Sequence, residues 1–381
     1  MAKKPFTPIP PMAELPPAEE INIKNILDQY LAGAIDLICV LGPTASGKTR
    51  YAVQLARQIN VLISKMDTDS DFRAEMYDGQ RGPCYPRHES GGTTSEAKWW
   101  GERSERPRAH PTPLRQAEII SADSRQVYRG MDIGTGKDLS EYEEIPYHLM
   151  DIVDAGEKYN IFEYQRDFEK AYKDIVDRGC IPILCGGSGL YIEAATCGYS
   201  LPEVPPDPQL RAELEKKTDE ELIAQLASLK PLHNSTDYDT RKRLIRALEI
   251  AIYEAGHPVQ RTSFLPKNTY YIGTLVDRDE RNARIDRRLD ARLKEGMVEE
   301  IRGLIDGTHP ALAPEHRPIP AEDLIYYGLE YKFVTLYITG ELTYDQMQTQ
   351  LGTAIHQFAK RQMTWFRGME RKGIRIHWTN V

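Results

Sequence analysis

The stretch that decides the fold is Asp36-Leu37-Ile38-Cys39-Val40-Leu41, followed directly by Gly42-Pro43-Thr44-Ala45-Ser46-Gly47-Lys48-Thr49. The first part is a short apolar run of the kind that forms a buried parallel strand. The second part has glycine, lysine and threonine at every fixed position of the pattern GxxxxGK[ST], and Arg50 to Ile59 then carries apolar residues at helical spacing. A strand, a glycine-rich turn and a helix in this order predict a phosphate-binding loop.

Such a loop binds phosphate groups electrostatically. Successive backbone N–H groups and the N terminus of the helix face the anion, and Lys48 adds a positive charge. The Thr49 hydroxyl can ligate Mg²⁺. Most proteins with this loop split or transfer the γ-phosphate of a nucleotide, so the loop on its own indicates a kinase or an NTPase.

Strand and helix signals alternate along the rest of the chain. Further strand-like runs occupy residues 118–123, 147–153, 181–185, 270–276 and 375–378, and amphipathic helical patterns occupy residues 160–178, 207–255 and most of the C-terminal part. The alternation predicts an α/β fold: a P-loop NTPase-like core with a parallel sheet flanked by helices, plus a helical inserted subdomain. We expect a mobile proline-rich extension at residues 1–30, the core at 31–200 and 266–381, and the helical inserted subdomain at 201–265.

The stretch from about residue 61 to residue 117 interrupts this pattern. It holds Gly91-Gly92-Thr93-Thr94-Ser95, many charges, several prolines and the pair Trp99-Trp100, with little periodicity. We interpret it as a mostly irregular surface insertion that loops away from the core. The alternative is that the two tryptophans bind a partner.

The composition excludes several classes of protein. The 381 residues carry 49 Lys and Arg against 57 Asp and Glu, a net charge of −8, so any nucleic-acid site must be a local basic patch. The five cysteines form no CxxC pair, which argues against a zinc site and is typical of reduced cytosolic thiols. No apolar run reaches the roughly 18 residues of a membrane span, and the N terminus does not resemble a signal peptide. We expect a cytoplasmic monomer without membrane contact.

Two further loops are expected at the carboxyl edge of the sheet, where ligands bind in open α/β folds. In the first, Asp123 follows the apolar pair Ile119-Ile120. This aspartate could hold Mg²⁺, act as a general base, or cap a helix. In the second, Ser188 lies within a glycine-rich turn, where the backbone can approach a ligand closely and the hydroxyl can donate to a phosphate oxygen.

An ordered set of motifs makes the chain similar to a known family. The set comprises GPTASGKT at 42–49, SADSRQVYRGMDIGTGK at 121–137, GGSGLY at 186–191, RALE at 246–249 and AKRQMTWFR at 359–367. Over residues 36 to 378, apart from the insertion, the chain resembles the bacterial tRNA dimethylallyltransferases. The resemblance implies that the loop holds the diphosphate of dimethylallyl diphosphate, and that the five-carbon group moves to the exocyclic amine of the adenosine immediately 3′ of the tRNA anticodon.

The same resemblance implies roles for individual residues. The diphosphate would be held by Gly42, Pro43, Thr44, Ala45, Ser46, Gly47, Lys48 and Thr49, with Thr49 also a ligand of the cofactor Mg²⁺. Asp123 would be the general base, Ser188 would keep the hydroxyl of the family's usual threonine, and Arg278 would lie near the diphosphate. The chemistry is coherent, because a site built for phosphate oxygens stabilises the charge that develops on the leaving pyrophosphate, and Mg²⁺ acts in the same sense.

Basic residues cluster locally in spite of the acidic total, and they supply the expected contacts with the tRNA anticodon stem-loop. The phosphate-contacting set is Lys242, Arg243, Arg246, Lys360, Arg361, Gln362 and Arg367. The set that would recognise the target adenosine, once it has left its stack, is Asp123, Ser124, Arg125, Gln126, Tyr327 and Gly328. Arg281, Arg284 and Arg288 flank an apolar helical stripe and are expected to face solvent.

Three alternatives remain open on the sequence. The first is a P-loop small-molecule kinase in which Asp123 serves the metal; the second is a prenyltransferase acting on free adenine nucleotide; the third is a non-catalytic RNA-binding relative. The basic C-terminal region argues against the second, and the intact loop and Asp123 argue against the third. Two departures from the family pattern leave local contacts open: Asp239-Thr240 stands for the usual Asn-Asp, and Tyr327-Gly328-Leu329 for Ile-Gly-Tyr.

Overall fold

The structure, a computed structural model, describes residues 15–68, 114–197, 204–230, 240–257, 266–312 and 317–381. These residues fall into two compact units: the larger comprises the parts up to Cys197 and from Pro266 onwards, and the smaller lies within Gly198–Leu265. The predicted α/β fold is confirmed, because the larger unit holds a parallel sheet flanked by helices and the smaller unit is helical. In the described ranges, no helix combines the length and apolar character that crossing a membrane requires.

The strands of the larger unit are short and mostly buried. They are β1 (Leu37–Leu41), β2 (Ala117–Ser121), β3 (Tyr128–Arg129), β4 (Tyr147–His148), β5 (Val153–Asp154), β6 (Ile181–Gly186), β7 (Thr269–Leu275) and β8 (Ile376–Asn380). Six of them form one parallel sheet in the order β4-β2-β6-β1-β7-β8, and β3 pairs with β5. Leu41 pairs with Gly186 and Ser121 with Cys185. The loops that follow β1, β2 and β6 therefore meet at one edge of the sheet.

The helices of the larger unit cover this sheet and extend it with a C-terminal helical layer. Before the smaller unit these helices are α1 (Ile23–Leu31), α2 (Lys48–Thr68), α3 (Ile161–Asp177) and α4 (Gly189–Thr196). The smaller unit contains α5 (Pro208–Leu214), α6 (Asp219–Leu229) and α7 (Arg241–Gly256). The C-terminal helices of the larger unit are α8 (Arg278–Glu295), α9 (Met297–Asp306), α10 (Ala321–Tyr327), α11 (Leu329–Ile338) and α12 (Tyr344–Arg371). Val127, Tyr128 and Met131 pack in one apolar cluster with buried residues of these C-terminal helices. This packing holds the loop after β2 against the C-terminal helices.

Helix α2 corrects the expected start of the insertion. The helix continues to Thr68 instead of ending at about residue 60, because Ile63 and Met66 extend the buried apolar stripe that includes Ile59. Residues 69–113, with the glycine-rich run and Trp99-Trp100, lie outside the described residues. The interpretation of that stretch therefore stays a prediction.

Helix α1 corrects the expected extent of the N-terminal extension. The Asn22 side chain caps this helix by accepting a hydrogen bond from the Asn25 N–H at 3.0 Å. Ile26, Leu27 and Tyr30 are buried in the main core with residues of β1 and α2. The chain from residue 23 onwards is therefore part of the folded core and not of a mobile extension, while residues 1–14 lie outside the description.

The smaller unit has a core of its own. Leu214, Leu222, Leu226, Leu244 and Leu248 from α5, α6 and α7 are buried together. The carboxylate of Glu249 accepts hydrogen bonds from the Asp207 N–H at 2.7 Å and from the Arg211 guanidinium at 2.9 and 2.7 Å. These bonds tie α7 to the start of α5.

Candidate active site

The phosphate loop has the backbone shape that its glycines predict. It leaves β1 at Leu41 and enters α2 at Lys48, and both Ala45 and Gly47 adopt positive φ angles, 61° and 77°. A Cβ on Gly42 would lie 2.1 Å from Oγ1 of Thr274, so only glycine fits there without a shift. The loop therefore packs directly against strand β7.

Three side chains of the loop reach a cavity of about 360 Å³: those of Thr44, Lys48 and Thr49. Ser46 does not, because its hydroxyl is buried and lies 2.6 Å from the Thr274 hydroxyl. The expectation that Ser46 binds an anion is thus limited to its backbone. Burial lowers the pKa of Lys48, and the nearby Cys185 and Asp123 act in the opposite direction. An anion in the cavity would further offset the cost of burying the ammonium group.

The loops after β2 and β6 bring Asp123 and Ser188 into the same cavity. Oδ1 of Asp123 accepts a hydrogen bond from the Arg125 N–H at 3.0 Å, and the Ser124 N–H donates to Oγ of Ser188 at 3.2 Å. A Cβ on Gly186 would lie 2.2 Å from the Ala122 carbonyl oxygen. The glycine lets the two loops touch, and the hydrogen bond orders Ser188 next to the Asp123 loop.

Two glutamines expected to contact tRNA have internal roles instead. Oε1 of Gln362 accepts from the Thr44 N–H at 2.8 Å, and its Nε2 donates to the Gly187 carbonyl at 2.9 Å, with the side chain buried. Gln126 is also buried: Oε1 accepts from the Ser121 hydroxyl at 2.8 Å and Nε2 donates to the Gly136 carbonyl at 3.3 Å. A buried amide whose two ends are both paired braces the loops, so both side chains have a structural role, while Gln126 also lines the cavity.

The structure places Arg278 away from the phosphate loop. This arginine begins α8 and lines a separate cavity of about 490 Å³, together with Arg281, Lys360 and Arg367. The expectation that it lies near the diphosphate is therefore wrong for this structure. The reason is its position in the helix: it lies in the first turn, next to the capping residue Asp277, whereas the cavity borders α8 about three turns further on.

Arg288 and Arg292 occupy the place expected for Arg278. Both line the cavity of the phosphate loop, and Arg288 forms an ion pair with Asp138 and donates to the Gly136 carbonyl at 3.4 Å. Arg288, which was expected to face solvent, is 36% exposed and also lines this cavity, so the expectation holds only in part. A usable signal was present in the sequence, since Ile285, Arg288 and Arg292 recur at helical spacing on one face.

The wall of the cavity formed by the C-terminal helices is partly apolar. Ile285, Leu329, Ile355 and Phe358 line it, together with Tyr327 and Tyr331. Glu330 also lies there, and burial raises the pKa of its carboxyl against the opposing effect of Arg292. The site thus combines a cationic side, suited to phosphates, with a hydrocarbon-lined side.

The residues expected to recognise the adenosine lie at the same cavity. The Arg125 guanidinium lies over the Tyr327 ring at 5.4 Å from its centroid. The Tyr327 hydroxyl donates to the Glu157 carbonyl at 2.9 Å and accepts from the Gly156 N–H at 2.8 Å. Ser124, Gly328 and the exposed Arg361 complete this part of the lining.

The basic cluster of the smaller unit differs in exposure from residue to residue. Lys242 and Arg243 are exposed at the start of α7. Arg246 is partly exposed, and its guanidinium forms an ion pair with Glu249 and donates to the Val204 carbonyl at 2.9 Å. Arg246 therefore stabilises the helical unit, and its contact with tRNA phosphates stays a prediction.

The sequence and the structure that carry this phosphate loop, carboxylate and hydroxyl are similar to those of known proteins. The family model described as IPP transferase matches residues 126–369. The chain belongs to this family. It is 50% identical, over 91% of its length and 94% of the relative's, to the tRNA dimethylallyltransferase 2 of Porphyromonas gingivalis, and 48% identical, over 91% and 93%, to that of Bacteroides fragilis. The structure resembles the tRNA isopentenylpyrophosphate transferase of Bacillus halodurans, with a TM-score of 0.53, 27% identity and coverage of 91% and 89% of the two chains.

The donor set of the site fits a magnesium ion that arrives with its substrate. The described residues contain no cluster of three or more His, Cys, Asp or Glu that could hold a metal. Mg²⁺ is commonly bound by one or two protein oxygens together with phosphate oxygens and water. The Thr49 hydroxyl and the Asp123 carboxylate line one cavity and supply oxygens of this kind.

Proposed function

We propose that this protein transfers the dimethylallyl group of dimethylallyl diphosphate to the exocyclic amine of the adenosine immediately 3′ of the tRNA anticodon, and releases pyrophosphate. The observation that carries the proposal is the cavity itself, where Lys48 and Thr49 lie with Asp123 and an apolar wall. The apolar wall suits the five-carbon group, and the cationic side suits the diphosphate. Membership of the IPP transferase family supports the same conclusion.

The residues of the cavity have complementary roles in this reaction. The bond between the allylic carbon and the diphosphate oxygen breaks, and a new bond forms between that carbon and the adenosine nitrogen. The loop N–H groups, Lys48 and Arg288 stabilise the negative charge of the departing pyrophosphate. Asp123 accepts the proton that the amine loses. The wall with Ile285, Leu329 and Phe358 excludes water from the cation-like carbon.

Mg²⁺ would be held by Thr49 and the diphosphate oxygens, and when bound it supplies further charge stabilisation for the leaving group. Ser188 donates a hydrogen bond to a phosphate oxygen from its place beside Ser124. Both roles put the diphosphate at the edge of the sheet, in the cavity that Asp123 also lines, where this carboxylate can take the proton of the incoming amine.

The acceptor adenosine must leave its stack to reach this cavity. Arg125 and Tyr327 offer the flipped base a guanidinium and an aromatic edge, and Arg361 lies at the same cavity. Lys360 and Arg367 in the second cavity, and Lys242 and Arg243 on the smaller unit, would contact phosphates of the anticodon stem-loop. We propose that the enzyme works in the cytoplasm as a monomer.

Transfer of a labelled group tests this function directly. Purified protein is incubated with Mg²⁺ and labelled dimethylallyl diphosphate, and with unmodified tRNA, AMP or no acceptor. Label is expected in tRNA alone, at the adenosine next to the anticodon after nuclease digestion. Label only in AMP would assign the protein to the free-nucleotide prenyltransferases, and ATP hydrolysis without any transfer would assign it to the kinases.

A further inference from the structure

Arg292 has an unusual position on helix α8. Its side chain is only 11% exposed and lines the cavity of the phosphate loop. The guanidinium lies directly against Gly136: a Cβ on that glycine would be 1.5 Å from Nη2 of Arg292 and 2.5 Å from Nη2 of Arg288. The absence of a side chain at position 136 therefore makes room for Arg292.

The loop beneath this arginine is firmly anchored. The carboxylate of Glu300 accepts hydrogen bonds from the backbone N–H groups of Asp132, Ile133 and Gly134 at 3.0, 2.7 and 3.1 Å. It also accepts a hydrogen bond from the Tyr331 hydroxyl at 2.8 Å. These bonds fix the backbone of the loop just before Gly136. The space that Gly136 leaves for the Arg292 guanidinium is therefore fixed as well.

The ion pairs of Arg292 are incomplete. Nη2 is 3.6 Å from Oδ2 of Asp138 and Nη1 is 3.9 Å from Oε1 of Glu330, both beyond hydrogen-bond distance. Asp138 forms its close ion pair with Arg288 instead. Nη2 of Arg292 is buried and has no hydrogen-bond partner within the part of the chain that the structure describes. A guanidinium buried for structure alone is normally paired by a carboxylate, so this nitrogen is available to an incoming acceptor.

The charge around the cavity indicates that the acceptor is an anion. Five basic side chains line it, against the two acidic side chains of Asp123 and Glu330. The basic residues are Lys48, Arg125, Arg288, Arg292 and Arg361. Burial lowers the pKa of Arg292, and Arg288 acts in the same direction, so an anion beside it would offset both effects.

We propose that Arg292 donates a hydrogen bond to a phosphate oxygen of the small diphosphate substrate, from the α8 side of the cavity. This inference rests on the proposed function. A phosphate of the tRNA backbone offers the same chemistry, but it would have to enter a cavity where the arginine is almost fully enclosed. The lining that Arg292 shares with Lys48 and Thr49 favours the diphosphate. On binding, the guanidinium exchanges its long contacts with Asp138 and Glu330 for a direct hydrogen bond.

Three variants of the full chain test the proposal: Arg292→Met, Arg292→Lys and the control Arg287→Met. Arg287 lies on the same helix, is 66% exposed and pairs with Glu280. The affinity for inorganic pyrophosphate is measured by titration calorimetry in Mg²⁺ buffer, and KM is measured separately for dimethylallyl diphosphate and tRNA. We expect Arg292→Met to weaken pyrophosphate binding and raise the KM for dimethylallyl diphosphate on the order of tenfold, with the KM for tRNA unchanged. Arg292→Lys should retain part of the affinity, and Arg287→Met all of it.

Two results would overturn the assignment. Wild-type pyrophosphate affinity in a folded Arg292→Met variant would show that Arg292 donates no hydrogen bond to the diphosphate. A rise confined to the KM for tRNA would show instead that Arg292 contacts the RNA backbone. Pyrophosphate titration does not depend on group transfer, so a wild-type protein that binds pyrophosphate through Arg292 but prenylates no acceptor would keep this proposal and reject the proposed function.

Gly136→Ala provides a second variant, in which residue 292 is still arginine. Its Cβ would occupy the position of Nη2, so it should displace the guanidinium and also weaken pyrophosphate binding. In the Arg292→Met background the same substitution should have a smaller effect, because only the contact with Nη2 of Arg288 and the positive φ of 61° at position 136 remain to be disturbed. Full additivity of the two substitutions would contradict the proposal.

Discussion

Asp123 is oriented by its own loop before any substrate arrives. Oδ1 accepts from the Arg125 N–H at 3.0 Å, and the Asp123 N–H donates to the Ser121 hydroxyl at 3.3 Å. The carboxylate lines a cavity that Lys48 also lines, so the base and the phosphate site share one cavity. A general base must have this geometry before its protonation state matters.

Asp123→Asn should therefore separate chemistry from binding. The amide oxygen can still accept from the Arg125 N–H, but it cannot take the proton of the amine, so kcat should fall roughly 10²–10⁴-fold. The affinity for pyrophosphate in Mg²⁺ buffer should stay close to that of the wild type. Single-turnover transfer and titration calorimetry measure the two quantities, with the exposed Asp174→Asn as control. Loss of pyrophosphate binding would show that Asp123 is chiefly a metal ligand.

Single residues differ in how well the sequence predicts them. Lys48, Asp123 and Ser188 line one cavity, because a strand edge and a fixed motif spacing leave little freedom; their roles there stay predictions. The sequence does not locate Arg278 and Arg288 in the same way, since helical periodicity shows which residues share a face but not which turn of the helix borders the cavity. That information comes from tertiary packing of α8, which no local pattern contains.

Among the structural elements, the pairing of α5 with α7 depends on one carboxylate. Glu249 is buried, and hydrogen bonds from Arg211 and Arg246, together with the Asp207 N–H, outweigh the effect of burial and lower its pKa from 4.5 to about 2. A carboxyl with a lowered pKa binds fewer protons in the folded state. Its stabilising contribution is therefore present above pH 4.5 and is lost as the pH falls towards 2.

Glu249→Gln should remove this contribution. The neutral amide cannot pair with two guanidinium groups, so we expect a loss of about 2 kcal/mol at pH 7. Hydrogen exchange of the α5 and α7 amides in the full chain reports this free energy, with the exposed Glu254→Gln as the control on the same helix. The difference between wild type and Glu249→Gln should shrink as the pH falls from 4.5 to 2. A difference that is independent of pH over this range would mean that the carboxylate charge does not hold the helices together.

The ends of elements were harder to predict than their existence. The runs after Asp36 and Gln116 form β1 and β2 because buried strands suit a sheet covered on both faces, and the one charged residue of β2, Glu118, is paired with Arg178. Helix α2 runs past its predicted end, since Ile63 and Met66 gain burial that a composition-based boundary does not register. Helix α1 lies within residues 1–30, for which the proline-rich composition predicts a mobile extension, but its buried apolar face makes it part of the core. Burial decides these boundaries.

At the scale of the whole molecule, an acidic chain must bind a polyanion through restricted surfaces. The net charge is −8, yet five basic side chains line the cavity of the phosphate loop and Arg278, Arg281, Lys360 and Arg367 line the second cavity. Association with tRNA releases counterions only where cations meet phosphates. The salt dependence of binding therefore reports how many of these cations contact the RNA.

Lys360 and Arg361 are the cations for which this test is most direct. Both are exposed on α12, and they line the second cavity and the phosphate-loop cavity respectively. Alanine at both positions should weaken tRNA binding and reduce the slope of log Kobs against log salt concentration by about one for each residue. The matched control is Lys170→Ala with Lys173→Ala, two exposed lysines on α3. Because both double variants change the net charge equally, a difference in slope measures local phosphate contact, and equal slopes would place the RNA elsewhere on the surface.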